Sequence, residues 1–278
     1  FKEGAIRFAW ELLTTAESAG GLEFDPKDLW VTVYEDDDEA FRLWREIAGL
    51  PEERIQRLGK DTNYWSTGQP GPAGPCSEIF FDRGPQYGID GGPATDDDRY
   101  VEIWNLVFMQ YSITDVKSKT DFTIVGELPQ KNIDTGMGLE RVAFIKQGVE
   151  NMYEIDQVRP VLDAAAALAG KNYGDDHADD VRLRVIADHL RAATFLAVDG
   201  CVPSNKEQGY VMRRLLRRAI RYSFELGIEQ NFMQEVVPVI ADLYHNDFPE
   251  VAENRENIIA VLVKEEKVFR QTLRKGLK

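Results

Sequence analysis

Asp134, Gly136, Gly138 and Arg141 fall within one short run, Asp134-Thr135-Gly136-Met137-Gly138-Leu139-Glu140-Arg141, where a strand-like pattern gives way to a helix-like one. A carboxylate there can hold an ammonium. Glycines lack a Cβ, so backbone N–H groups can approach a phosphate, and the first turn of the new helix adds partial positive charge. Arg141, one helical turn further on, can lean over the same anion. A dinucleotide-binding turn would require G-x-G-x-x-G inside a βαβ unit. Here the third position is Arg141 and the preceding strands do not alternate with helices, so that chemistry is excluded. The plainer alternative is an ordinary strand–helix joint with Asp134 or Thr135 as N-cap.

Two other segments carry chemistry. The apolar run from Val101 to Gln110 is interrupted by Glu102 and Asn105, whose burial costs free energy unless a partner satisfies them. A two-residue period sends Ile103, Asn105, Val107 and Met109 to one face, which suits a small ligand with charged and apolar ends. Asn105 satisfied by backbone in a core strand is the alternative. Further on, Arg213, Arg217 and Arg221 recur at helical spacing with Arg214 and Arg218 beside them. Between Asn205 and Phe224 six basic residues stand against one acid, a local +5 in a chain of formal charge -15. Such a face makes phosphate contacts that weaken with salt; the alternative is a solvated helix paired to acidic neighbours.

The elements that must position these residues follow from periodicity. Ile6, Ala9, Trp10 and Leu13 mark a first helix, and Leu29 to Tyr34 a strand. The acidic run Glu35 to Glu39 opens a second helix as a solvated start, and Gly49 with Pro51 ends it. Gly68 to Cys76 is too rich in Gly and Pro for a helix or a central strand and is expected to be a rigid ordered loop. Ser77 to Asp82, Tyr100 to Tyr111 and Phe122 to Leu128 read as strands. Their connections are too polar for crossover helices, so sequential pairs should be antiparallel. Beyond about residue 151 helical periodicity takes over, in Val158–Ala169, Val181–Val198, Tyr210–Leu226, Met233–Tyr244 and Asn257–Leu277, with Asp175 to Asp180, containing His177, as a surface loop. The expected architecture is α/β of the α+β type, an antiparallel sheet with flanking helices over residues 1–155, then an all-helical domain over 156–278.

Composition sets the outer bounds. The 278 residues, 43% hydrophobic, suffice for one large domain or two modest ones. The net acidity argues against non-specific nucleic-acid or membrane binding by the molecule as a whole. Cys76 and Cys201 lie far apart and suggest neither a disulfide framework nor a thiolate zinc site, and no run reaches membrane-spanning length. A cytoplasmic location fits best. The chain begins at Phe1 rather than Met and reads as a fragment of something longer.

Asn63-Tyr64-Trp65, Gly71-Pro72-Ala73-Gly74-Pro75-Cys76-Ser77-Glu78-Ile79, Glu102 to Gln110, Asp134 to Arg141, Arg184 to His189, Pro203-Ser204-Asn205 and Gly209 to Arg214 together resemble the alanyl-tRNA synthetase family, which belongs to the class II synthetases built on an antiparallel sheet. The resemblance implies ATP-dependent activation of alanine and transfer to the 3′ end of tRNA(Ala), with Mg2+ accompanying ATP. It implies that Asp134 holds the α-ammonium of alanine, that Asn105 and Trp65 fix the substrate, and that Val107 with Gly136 limits the space around its methyl. Arg141 becomes the arginine on the ATP phosphates, with Gly136 and Gly138 at the nucleotide, and Glu102 helps position magnesium. Asp134 and Arg141 are the pair expected to carry the chemistry. Asn205 is marked for reading a G·U wobble in the acceptor stem through its amide oxygen, with Arg213, Arg214, Arg217, Arg218 and Arg221 on the tRNA.

This sequence departs from the family pattern at Ala73, Thr67 and Ser112-Ile113, and the family's first motif and its α-phosphate arginine are expected upstream of Phe1. By itself the chain is therefore expected to hold half of an ATP site. His177, His189 and His245 lack H-x-x-x-H spacing, so neither an editing centre nor zinc is expected. Two rival classes remain: a non-catalytic tRNA-acceptor-stem-binding module, and an adenylating enzyme that passes its amino acid to an acceptor other than tRNA.

Overall fold

The computed structural model describes residues 1–276; Leu277, which periodicity assigns to the last helix, lies outside them. The chain divides into two compact units, Phe1–Val142 and Ala143 onward.

The first unit is a six-stranded sheet with helices on one face. Helix α1 (Lys2–Thr14) buries Ile6, Ala9, Trp10 and Leu13, the stripe expected from spacing. Strand β1 (Leu29–Tyr34) and helix α2 (Asp38–Ala48) follow, the helix ending at Gly49 in the left-handed conformation that glycine adopts without a Cβ clash. Strand β2 (Ile55–Leu58), which periodicity had not marked, returns beside β1 in parallel, as a strand must after a helical crossover. Then come α3 (Lys60–Asn63), β3 (Tyr64–Ser66), β4 (Gly71–Asp82), β5 (Tyr100–Thr114) and β6 (Thr123–Met137). The order is β2-β1-β4-β5-β6 with β3 beside β4, and β4, β5 and β6 pair antiparallel as expected.

Three expectations need correcting. Gly71–Cys76 is not a loop: it is the first half of β4, hydrogen-bonded to β3 and β5, and Ala73 through Ile79 is buried. Pro75 falls where the β4–β5 register slips between Ala73 and Cys76, the kind of irregularity where proline's missing N–H costs no ladder bond, while Pro72 stays in register opposite Ser112. Gly74 is obligatory there, since an added Cβ would lie 1.7 Å from the Phe108 carbonyl oxygen. The acidic run before α2 is not all solvated either. Asp37 is buried, accepts from the Ala40 N–H as N-cap, and pairs with Lys2 Nζ at 2.9 Å. Finally, β6 extends nine residues past Leu128 to Met137, so Asp134, Thr135 and Gly136 lie in a strand and not at a helix cap.

Helices α1 and α2 cover one face of this sheet. The fully buried Trp44 donates its indole N–H to Ser77 Oγ at 2.8 Å and meets Trp10 edge-on, while Lys2 sits over the Phe108 ring. The opposite face is left for polar groups.

Helix α4 (Leu139–Gln147) contains the division between units. The second unit comprises α5 (Arg159–Ala169), α6 (His177–Val198), α7 (Glu207–Glu225), α8 (Met233–Leu243), α9 (Pro249–Glu253) and α10 (Arg255–Gly276). Each of the five periodic segments is a helix, the last as far as Gly276. The acidic stretch before α6 is only half a loop, because Asp176 caps the helix by accepting from Asp179 N–H and the helix starts at His177. Among the described residues no helix is long and apolar enough to cross a membrane.

Candidate functional site

Sheet register builds the first site. Across β5 and β6, Asn105 lies opposite Gly136 and Val107 opposite Asp134; across β4 and β5 the same two residues lie opposite Glu78 and Cys76. Directly opposed residues project to one face, so Glu78, Cys76, Asn105, Val107, Asp134 and Gly136 share the side away from α1 and α2. Thr32 of β1, opposite Glu78, extends this row. Its hydroxyl donates to Glu78 Oε1 at 3.1 Å and accepts from Asn63 Nδ2 at 2.8 Å.

Strict alternation would send Glu102 to the other face. Instead β5 carries one extra residue, Ile103, where the register slips between Ile79 and Phe80. The bulge brings the Glu102 carboxyl into hydrogen-bond contact with that of Glu78. Burial, then the Glu102 charge and hydrogen bond, push Glu78 up to about 8, against the opposing bond from Thr32. The Glu78–Glu102 pair therefore retains a proton at neutral pH in the folded chain that it lacks when unfolded. A carboxyl raised in this way stabilises the fold fully below its ordinary range and loses that contribution as pH rises to about 8. Urea denaturation should show stability declining over this window, no more steeply than ~1.4 kcal/mol per pH unit for one proton. Glu102→Gln removes the like charge and should flatten the decline; an unchanged slope would deny the pair.

Burial, with Glu78, Glu102 and Asp134 nearby, pushes the Cys76 thiol up to about 12, opposed by the Asn105 amide hydrogen-bonded to it. The same three carboxyls that repel a thiolate attract a cation. Asn105 Oδ1 is buried without a partner, an acceptor aimed where a donor is missing. Asp134 and Gly136 are exposed, and a Cβ at Gly136 would meet nothing within 4 Å. The space over this strand is open.

Gly138, at the joint between β6 and α4, donates its N–H to Ile103 O at 3.0 Å. Neither Gly136 nor Gly138 has a positive φ, so what matters at both is the missing Cβ. The Arg141 side chain packs across Gly138 and donates from Nη1 to the Glu102 carbonyl at 2.8 Å. Thr135 spends its hydroxyl across the sheet, donating to Asn105 O at 2.7 Å and accepting from the Trp104 indole at 2.6 Å. Arg141's anchor at Glu102 and Asp134's partner Val107 are five positions apart on β5, about 15 Å at strand rise. The two charges thus mark the ends of one elongated polar strip. Trp65 is half-buried on β3, opposite Gly74.

The helical unit holds the second constellation. Helix α7 buries Met212, Leu216, Ala219, Ile220 and Ser223, which leaves its arginines in two groups. Arg213 and Arg217 turn to α10: Arg213 makes two bonds to Glu265, Nε–Oε1 at 3.0 Å and Nη2–Oε2 at 3.3 Å, and Arg217 Nε adds one at 3.1 Å. Arg214, Arg218 and Arg221 are exposed, and they stand over Tyr210 and Tyr222. Asn205 is exposed in the loop before α7, and its Oδ1 accepts from Arg213 Nη1 at 2.7 Å.

Glu78, Cys76, Thr32, Asn63 and Glu265 were not among the residues singled out for roles by the sequence. Glu78 carried the same signal as Glu102, an acid in an apolar strand. Glu265 carried none, being one of two adjacent glutamates in an amphipathic helix.

The whole chain, residues 1–278, matches the family described as tRNA synthetases class II (A). It is similar to proteins named alanine--tRNA ligase: 66% identical over 99% of the chain to that of Leifsonia xyli subsp. xyli, 63% to that of Clavibacter michiganensis subsp. michiganensis, and 61% to that of Kineococcus radiotolerans. In each case the chain spans 31% of the relative's length.

Proposed function

The chain belongs to the class II tRNA synthetases, and on that premise we propose that it serves ATP-dependent activation of alanine and alanyl transfer to the 3′ end of tRNA(Ala). Residues 1–155 would serve activation and 156–278 acceptor-stem recognition. The observation that carries the reading is the unpartnered, buried Asn105 Oδ1 on a strip flanked by Asp134. An amino acid offers the ammonium donors that this acceptor and carboxylate lack, while Val107 and Gly136 flank room for a small side chain.

Arg141 belongs at the phosphate end, where it neutralises charge as the alanine carboxylate attacks the α-phosphorus and pyrophosphate leaves. The protein needs no nucleophile of its own; it aligns two reactants. Class II synthetases use ATP with Mg2+, which takes most of its oxygens from phosphate and water and only one or two carboxylates from protein. Glu78 and Glu102 fit that donor set, since a cation would relieve the repulsion that keeps one of them protonated. Bound there, it would supply charge neutralisation at the triphosphate.

Alanine-dependent ATP–pyrophosphate exchange and alanylation of tRNA(Ala), measured on the chain extended to the length of its relatives, test the proposal. Exchange that needs alanine, together with charged tRNA, is the expected result. Stem binding without exchange would make it a binding module; exchange without charging would point to another acceptor. Either outcome overturns the reading.

A further inference from the structure

Thr32 on β1 lies opposite Glu78 on β4, and three bonds fix which way its hydroxyl points. The oxygen is 2.8 Å from Asn63 Nδ2, 3.3 Å from the Glu78 backbone nitrogen and 3.1 Å from Glu78 Oε1. The backbone N–H can only donate. The Asn63 amide atom is a donor too, because it also lies 3.2 Å from the Cys76 carbonyl, which can only accept. These two donors fill both lone pairs of the hydroxyl, so its single proton goes to Glu78 Oε1. The surroundings hold the arrangement. Thr32, Asn63 and Ser77 are fully buried, and Ser77 Oγ, which accepts from the Trp44 indole, donates to the Thr32 carbonyl at 2.8 Å.

We infer that Thr32, aimed by Asn63, is a positioning residue for the cation end of the strip: its hydroxyl fixes the plane of the Glu78 carboxyl toward Glu102 and the Mg2+ that this pair fits, without itself touching nucleotide or metal. The inference rests on the functional reading above and deepens it. A carboxylate that lacks such a donor can turn about its last bond and must be ordered when the cation arrives, which weakens the site. Asn63 acts at one further remove, by leaving the Thr32 proton no other direction.

Calorimetric titration of ATP into the chain extended to the length of its relatives, once with Mg2+ and once in EDTA, both without alanine, isolates the effect. Thr32→Val keeps the shape and removes the donor. It should weaken binding of Mg2+-ATP about tenfold, the low end of what losing the partner behind a metal ligand costs, and leave metal-free ATP at the parent affinity. Thr32→Ser restores the hydroxyl and should recover most of the loss. Asn63→Asp offers the Thr32 proton a competing acceptor, turns it away from Glu78 and should act as Thr32→Val does; the two combined should cost no more than either alone. If Asn63→Asp does not fold, the Thr32 variants decide by themselves. Weakening that is equal with and without metal, or Thr32→Ser no better than Thr32→Val, would reduce Thr32 to a fold contact. Parent-level Mg2+-ATP binding in Thr32→Val would overturn the inference outright. Alanine-dependent pyrophosphate exchange by the parent is the control. Its absence there marks failure of the functional reading, whereas exchange in the parent beside unaltered Mg2+-ATP binding in Thr32→Val marks failure of this inference alone.

Discussion

Asp134→Ala is expected to lower kcat/KM for alanine in pyrophosphate exchange by roughly 30- to 5,000-fold, the equivalent of the ~2–5 kcal/mol lost when one side of a desolvated charge pair is truncated. The carboxylate is exposed in the free chain and lies opposite Val107, so the effect arises only when a bound ammonium and its adenylate exclude water from it. On the proposed reading the ammonium would be held equally before and during adenylation. The loss should therefore fall mainly on KM for alanine, with kcat less affected. Asp134→Asn keeps the shape but not the charge and should lose nearly as much. Because Asp134 is exposed, both variants should unfold in urea like the parent. Exchange unchanged in Asp134→Ala would remove Asp134 from the site and with it the assignment of this end of the strip to the amino acid.

The parts of this strip differ in how legible they were. Asn105 and Val107 sharing a face followed from strand alternation, whereas Asp134 and Gly136 join them only because β6 runs on past Leu128, where the expected strand ended. Glu102 was suspect as an acid in an apolar run, yet alternation put it on the wrong face. Only the bulge at Ile103 brings it to Glu78, and a one-residue register slip leaves no mark in composition. Pro72 and Pro75 misled in the other direction. Proline argues against a central strand unless the ladder is already broken at that point, and at Pro75 it is broken beside the close backbone approach of Gly74 to Phe108, a contact between segments over thirty residues apart. In the helical unit, spacing revealed five arginines on α7 but not their partners. The side of the stripe that meets α10 pairs with Glu265, and the side that meets solvent does not. Local period shows which face a residue occupies; it does not show what the neighbouring element brings to that face.

Arg270→Ala should destabilise the helical unit by about 3–5 kcal/mol, the penalty for stranding one partner of a buried ion pair. Arg270 is 2% exposed and Glu266 is fully buried. Arg270 Nε donates to Glu266 Oε2 at 3.1 Å, Nη1 to the Ile228 carbonyl at 2.8 Å and Nη2 to Ser223 Oγ at 2.8 Å, tying α10 to the end of α7 and the turn after it. Glu266 in turn accepts from the N–H groups of Phe232 and Met233 at the start of α8. Burial already holds Glu266 above the ordinary carboxylate range, with Arg270 the largest opposing influence. Without the guanidinium its affinity for a proton must rise further, so the variant should be least impaired below pH 4.5, where the unfolded carboxyl is also protonated, and progressively worse as pH rises. Adding Glu266→Gln should recover part of the loss by removing the stranded charge while keeping an acceptor for the α8 N–H groups. A cost below about 1 kcal/mol at pH 7, typical of a solvated surface pair, would show that water replaces the arginine. Arg270 would then have no part in fixing the helix that carries Glu265.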